Sequence, residues 1–106
     1  MTAGLCHLVE ILLPKQSGNG KPVGKEWFEG LLEELTDKFG GATSFVRSPG
    51  KGLWQSGGQT EGDTIAVIEV MAESIDPDYW RSFRERLERE LAQEEIIIRA
   101  QEIRRL

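Results

Sequence analysis

Four charged residues interrupt stretches that are otherwise apolar: Glu10, Arg47, Glu69 and Arg99. Two carboxylates and two guanidiniums gathered on one surface could line a pocket for a small polar or anionic ligand, because charge removed from water needs a partner. The plainer alternative is that they pair with one another and set the register of a sheet, since structural ion-pair networks often imitate sites. His7 is the only histidine. Its unperturbed pKa near 6.5 suits acid–base work, although a lone histidine near the start of a strand is more often structural. Trp54 lies in the glycine-rich stretch SPGKGLWQSGG. It either closes as a flap over a ligand or a partner subunit, or anchors a long turn to the core.

Other chemistries lack their residues. Neither GNGKPVGK nor GKG fits the phosphate loop GxxxxGK[ST], and no GxGxxG opens a helix after a strand. No serine occupies a GxSxG elbow. The single cysteine, Cys6, excludes an internal disulfide and a metal site built on cysteine pairs. The expectation is therefore no metal, no cofactor and no assigned catalytic residue. The formal charge of −5 and the interleaving of cations with acids near the C-terminus disfavour a nucleic-acid partner. No run approaches the ~20 apolar residues that span a bilayer, and Leu5–Leu13 has no basic flank of the kind a secretory signal needs. A cytoplasmic protein without a membrane partner is expected.

The elements that must position these residues can be read in order. Leu5–Leu13 alternates between two largely apolar faces, as a strand covered on both sides does, and Pro14 ends it. A polar, glycine-containing loop runs to Gly24. From Lys25, the recurrence of Trp27, Leu31, Leu35 and Phe39 predicts a helix, with Gly40–Gly41 as its stop. Gly30 within it suggests a close approach to the sheet. Ala42–Arg47 reads as a short strand, Ser48–Gly62 as a long connection and Asp63–Met71 as the next strand. Asp76, Pro77 and Asp78 give a capped helix start, with Ile75 and Trp80 at the spacing of a hydrophobic staple. Trp80, Phe83, Leu87 and Leu91 form its inner stripe. The outer face carries Arg84–Glu88, Glu85–Arg89 and Arg86–Glu90 at four-residue spacing. Ile96–Ile98 opens a last strand that runs toward Ile103.

The order strand–helix–strand–strand–helix–strand in 106 residues predicts one α+β domain of ferredoxin-like βαββαβ type. It comprises a four-stranded antiparallel sheet with two helices on one face, and strands one and three are expected as a parallel central pair. If Val9, Ile11, Ile68 and Val70 face the helices, the open face carries Leu8, Glu10, Leu12, Phe45, Arg47, Val67, Glu69, Met71, Ile97, Arg99 and Gln101. So apolar a face predicts an interaction surface, and a homodimer stacked through it. The RNA-recognition module has the same order, but its third strand carries exposed aromatics, and Thr64–Met71 has none.

Through Phe39-Gly40-Gly41-x-Thr43, Gly52-Leu53-Trp54 and Ile68-Glu69-Val70, the chain resembles small uncharacterised bacterial proteins of ferredoxin-like architecture. In layout it is also similar to the dimeric α+β barrel proteins. That resemblance implies a homodimer that binds a small anionic or aromatic ligand, or a cofactor-free monooxygenase or isomerase acting on one. It is a resemblance of fold, which hosts many functions. The favoured expectation is a non-catalytic homodimeric interaction or small-ligand-binding domain, with the cofactor-free enzyme as its alternative.

Overall fold

The computed structural model describes residues 4–47 and 65–106, with residues 44–47 described by their backbone alone. Three long antiparallel strands and two helices make the body of the fold. The elements are β1 (Leu5–Pro14), α1 (Lys25–Phe39), β2 (Thr43–Arg47), β3 (Ile65–Ala72), α2 (Pro77–Glu90) and β4 (Ile97–Arg104). The glycine-rich stretch containing Trp54, together with Asp63 and Thr64, lies outside the described residues.

β1 is central. It pairs with β3 from His7↔Ala72 to Pro14↔Ile65, and with β4 from Leu5↔Arg104 to Leu12↔Ile97. The short β2 pairs with the outer edge of β3, so the order is β2-β3-β1-β4. Every neighbouring pair is antiparallel. This corrects the expectation of a parallel central pair. β2 and β3 pair antiparallel, and β3 also opposes β1, so the parallel relation falls to β1 and β2, which are not neighbours.

Period-two alternation sorts the side chains. Val9, Ile11 and Leu13 of β1 and Ala66, Ile68, Val70 and Ala72 of β3 join one core with Leu31 and Leu35 of α1 and Trp80, Phe83 and Leu87 of α2. Both helices therefore cover the same face. The apolar stripe of α1 reads as expected, with Trp27, Phe28, Leu32 and Phe39 packed at its margin. Phe39 stacks on Trp80, their centroids 5.3 Å apart and their planes 11° from parallel. Aromatic pairs of this kind add about 0.5–1.5 kcal/mol beyond the area they bury.

The helix ends follow local chemistry. Gly40 caps α1 in the left-handed region at φ 88°, and its N–H donates to Thr36 O at 2.7 Å. Asp76 Oδ1 accepts from the amides of Asp78 and Tyr79, and Pro77 begins α2. α2 ends without glycine. Ala92 takes φ 52°, and Gln93 N–H returns to Glu88 O at 2.9 Å while Ala92 N–H donates to Arg89 O. This is the Schellman arrangement, with alanine in the position that favours glycine. The loop between β1 and α1 docks on this cap, where Gly18 N–H donates to Leu91 O at 2.7 Å. A Cβ on Gly18 would fall inside the Ala92 carbonyl. Gly30 differs from expectation. It lies on the exposed side of α1 with open space around it, so it marks no approach to the sheet.

Ion pairs join the elements from outside. Arg86 donates to both carboxylate oxygens of Glu34 at 2.7 and 3.0 Å, bridging the helices, and its guanidinium is held further into the charged form by that hydrogen bond. Trp27 Nε1–H donates to Glu90 at 3.0 Å. Arg84–Glu88 and Arg86–Glu90 form as the spacing predicts, at 2.9 and 3.6 Å, whereas Glu85 and Arg89 make no ion pair among the described residues. Glu88 has a second task. Its carboxylate accepts from Ile96 N–H at 2.9 Å, tying α2 to the entry of β4. Ile96 is buried just ahead of that strand rather than within it.

Two predictions follow from these ends and ties. In chemical denaturation, Gly30→Ala should stabilise by up to about 1 kcal/mol through helix propensity, and Ala92→Gly by about 1 kcal/mol through relief of the left-handed backbone. Gly18→Ala should destabilise by about 1–3 kcal/mol through overpacking. The second concerns acid. The Ile96 N–H, and then Arg84, hold the Glu88 carboxyl below its ordinary value of 4.5. A carboxyl depressed in the folded state stabilises above its unfolded pKa, and that stability drains away as pH falls through the folded value. Thermal melts of Glu88→Gln should therefore show a shallower loss of Tm below about pH 4.5 than the parent protein.

Candidate functional site

The open face of the sheet divides into two regions. Toward the Leu12 end of β1, Leu12 and Val67 are already buried within the single chain, at 8% and 0% exposure. These two members of the expected apolar face are thus not exposed. At the opposite end lies a groove of about 730 Å³. Its size falls in the range of small-molecule sites, about 300–1,000 Å³.

The groove arises from unequal strand lengths. β2 begins at Thr43, opposite Glu69, while β3 continues through Val70, Met71 and Ala72. That leaves a notch at the sheet edge. The α1–β2 turn, Phe39 through Thr43, walls it. The turn is tight because Gly40 adopts a conformation costly for other residues. Leu8 and Met71, cross-strand partners, form the floor with Cys6 beside them. Met71 is half exposed, and Cys6 is buried as a free thiol. Glu69, Glu73, Lys38 and Arg105 bring charge to the lining. Lys38 Nζ lies 4.4 Å from the centroid of Tyr79 and 5.7 Å from that of Phe39, within cation–π range. The Tyr79 hydroxyl is buried without a hydrogen-bond partner among the described residues, and burial, then Glu34, pushes its pKa up.

The six residues singled out from sequence fall in different places. Glu10 and Arg99 are register partners across β1 and β4, and Arg99 Nε donates to Glu10 Oε1 at 2.8 Å. Glu10 also stands opposite Glu69 across β1 and β3. These three form one row on the open face, and Glu69 is the member that reaches the groove. Arg47 pairs through its backbone with Ile65, at the end of β3 away from the notch. His7 occupies the helix-facing side of β1, between Ala72 and Glu102, and its Nδ1 is buried without a partner among the described residues. Trp54 lies outside the described residues.

The remaining lining was missed from sequence because it comes from four separated segments: 6–8, 38–43, 69–74 and 105. One signal was present. Phe39-Gly40-Gly41-x-Thr43, noted for the resemblance it carries, is the wall of the groove. No three His, Cys, Asp or Glu residues among those described could together hold a metal ion. No described helix is long and apolar enough to cross a membrane.

The Glu10–Arg99 bond makes a direct prediction. The Glu10 side chain is 13% exposed and that of Arg99 53%, so the pair is half screened by water. Arg99→Met should leave Glu10 beside Glu69 without its donor and cost about 1 kcal/mol in urea unfolding. Glu10→Gln, which removes the facing like charges as well, should cost less.

No family model matches the sequence, and no curated protein matches it. Among solved structures, a phage SAM lyase in complex with S-methyl-5′-thioadenosine is similar, with a TM-score of 0.63. The match covers 92% of this chain and 81% of that one at 16% identity, a likeness of fold.

Proposed function

We propose that this chain is a small-ligand-binding domain of ferredoxin-like fold whose site is the groove between the α1–β2 turn and the ends of β1 and β3. The observation that carries the reading is the groove itself, a notch of ligand size with an apolar floor and a polar rim. The sheet order β2-β3-β1-β4, antiparallel throughout, supports the fold assignment. The ligand class is an adenosine thioether, the chemistry bound by the similar phage lyase. Phe39 and Met71 offer flat and polarizable apolar surface suited to such a body.

The working unit in this reading is a homodimer joined through the open face, as the sequence suggests. The half-exposed Met71 and the partly buried Leu8, Ile97 and Ile103 give that face apolar area beyond the buried centre. A second reading is a cofactor-free enzyme using the same groove. The similar structure is a lyase, and Glu69 supplies a carboxylate on the groove lining that could accept a proton.

Native mass spectrometry in the presence of S-methyl-5′-thioadenosine tests mass and occupancy together. The expected species is twice the chain mass with one nucleoside per chain, and Met71→Arg, which fills the floor at an exposed position, should lose the nucleoside while keeping its melting temperature. A protein that never retains the nucleoside, or a variant that retains it unchanged, would overturn this site. A monomer that still binds would remove only the dimer.

A further inference from the structure

We propose that a second copy of this chain adds to the free edge of β4. The two β4 strands run antiparallel about a two-fold axis at Ile103, so that Glu102 of each chain pairs with Arg104 of the other. This contact joins edge to edge and rests on neither the small-ligand reading nor the stacked-face dimer above.

β4 is an outer strand of the sheet, with β1 on its inner side. A free edge carries unpaired N–H and C=O groups, and proteins commonly blunt it with a short strand, a proline, a lysine or a bulge. The opposite edge, β2, is short at five residues. β4 has none of these devices. It runs for eight residues, IIRAQEIR, in unbroken register with β1 from Ile97↔Leu12 to Arg104↔Leu5. The ladder continues one step further, where Arg105 N–H donates to Gly4 O at 3.4 Å. That bond fixes the phase. Alternate residues of an antiparallel ladder bond to their partners, so Arg99, Gln101, Ile103 and Arg105 direct their main chain at β1. Ile98, Ala100, Glu102 and Arg104 direct theirs outward, where no described strand receives it.

A two-fold axis normal to the sheet brings residues of like parity opposite each other, and the side chains then choose the register. Opposite charges directly across an antiparallel pair stabilise it, and like charges destabilise it. Centred on Ala100, the pairing sets Ile98 against Glu102 and Arg99 against Gln101, with no ion pair. Centred on Gln101, it sets Glu102 against Ala100 and Arg99 against Ile103. Centred on Glu102, it opposes two carboxylates. Centred on Ile103, it sets Glu102 against Arg104 twice over, and the outward main-chain groups of the same two residues meet. Glu102 and Arg104 are both exposed, and neither enters an ion pair among the described residues. In that register Ala100 faces Leu106, a large apolar side chain left exposed in the single chain. The strand is thus complementary in charge to its own reverse, which identifies the occupant of the edge as a second copy.

The test is disulfide cross-linking in a Cys6→Ala background, which removes the native thiol opposite Ile103 on β1. Facing residues of a non-hydrogen-bonded antiparallel pair stand about 4.5 Å apart at Cα, within the reach of a disulfide. Ile103 has that phase toward the edge. Under mild oxidation Ile103→Cys should link two chains at least about tenfold faster than Ala100→Cys or Gln101→Cys. Adding Glu102→Arg should slow the link at least about tenfold by opposing like charges, and adding Arg104→Glu as well should restore it. Glu102 is the register partner of His7, on the helix-facing side, so the swap does not touch a stacked open face. Thermal melts check that each variant folds. Should Ile103→Cys not fold, sedimentation velocity of the two charge variants, otherwise unchanged, reads the same contact: Glu102→Arg should halve the assembly mass and the double swap should restore it. A link fastest at Ala100 or Gln101, equal rates at all three positions, or a rate or mass indifferent to the charge swap overturns the proposal and leaves the groove and the stacked face to their own tests.

Discussion

Strand β1 hydrogen-bonds along both of its edges, eight register pairs to β3 and eight to β4. Every other feature depends on that double pairing. Because side chains alternate along a strand, one register fixes which residues meet the helices and which face away. Val9, Ile11 and Leu13 enter the core under α1 and α2. Leu8, Glu10 and Leu12 are committed to the other face, with Met71, Glu69 and Val67 opposite them. A slip of one residue would drive Glu10 into the helix-facing core, where an unpaired carboxylate is costly. The Arg99–Glu10 bond on the far side of β1 therefore supports the same register that the apolar core demands.

The helices and their ends were largely legible in the sequence, because local chemistry writes them. Asp76-Pro77-Asp78 can cap and start a helix but cannot continue one, and α2 begins there. Gly40 ends α1 for the same kind of reason. The face assignment of β1 and β3 was also legible, since the residues expected toward the helices are those in the core. The end of α2 was not. Ala92 adopts a left-handed backbone with no glycine to announce it, and what favours it is the pair of returning hydrogen bonds from Ala92 and Gln93. Gly30 misled in the other direction. A glycine in a helix invites an account in terms of packing, and here it faces open space. The relative direction of strands one and three, expected parallel, is antiparallel, and the element order contains this, since a crossover keeps β2 parallel to β1 and the hairpin then reverses the chain.

The site was less legible than the fold. The four charged residues picked from strand patterns share a property of sequence, charge within apolar runs, but the groove is made by a property of topology. β2 is shorter than β3, and the turn that precedes it folds over the difference. No pattern in either segment alone encodes that mismatch. Glu69 belongs to both descriptions, as a charge within an apolar strand and as a residue at the end of the β2 pairing. Arg105 and Glu73 belong only to the second, because each lies just past the end of a strand, where a charged residue reads as ordinary surface.

Net charge bears on what such a groove can admit. The chain carries −5, and a field of that sign works against a free anion approaching the surface, within the screening length of about 8 Å at physiological salt. Read from sequence, Glu10, Arg47, Glu69 and Arg99 suggest either paired charges that set register or a pocket for a small polar or anionic ligand. In the folded chain Arg99 is occupied by Glu10, so it contributes little attraction of its own. The groove then offers Arg105 and Lys38 beside two carboxylates, in a molecule already negative. A simple anion there meets Arg105 and Lys38 but also the carboxylates of Glu69 and Glu73. A simple cation gains the carboxylates and meets Arg105. A net-neutral ligand is spared the opposing field of the whole chain.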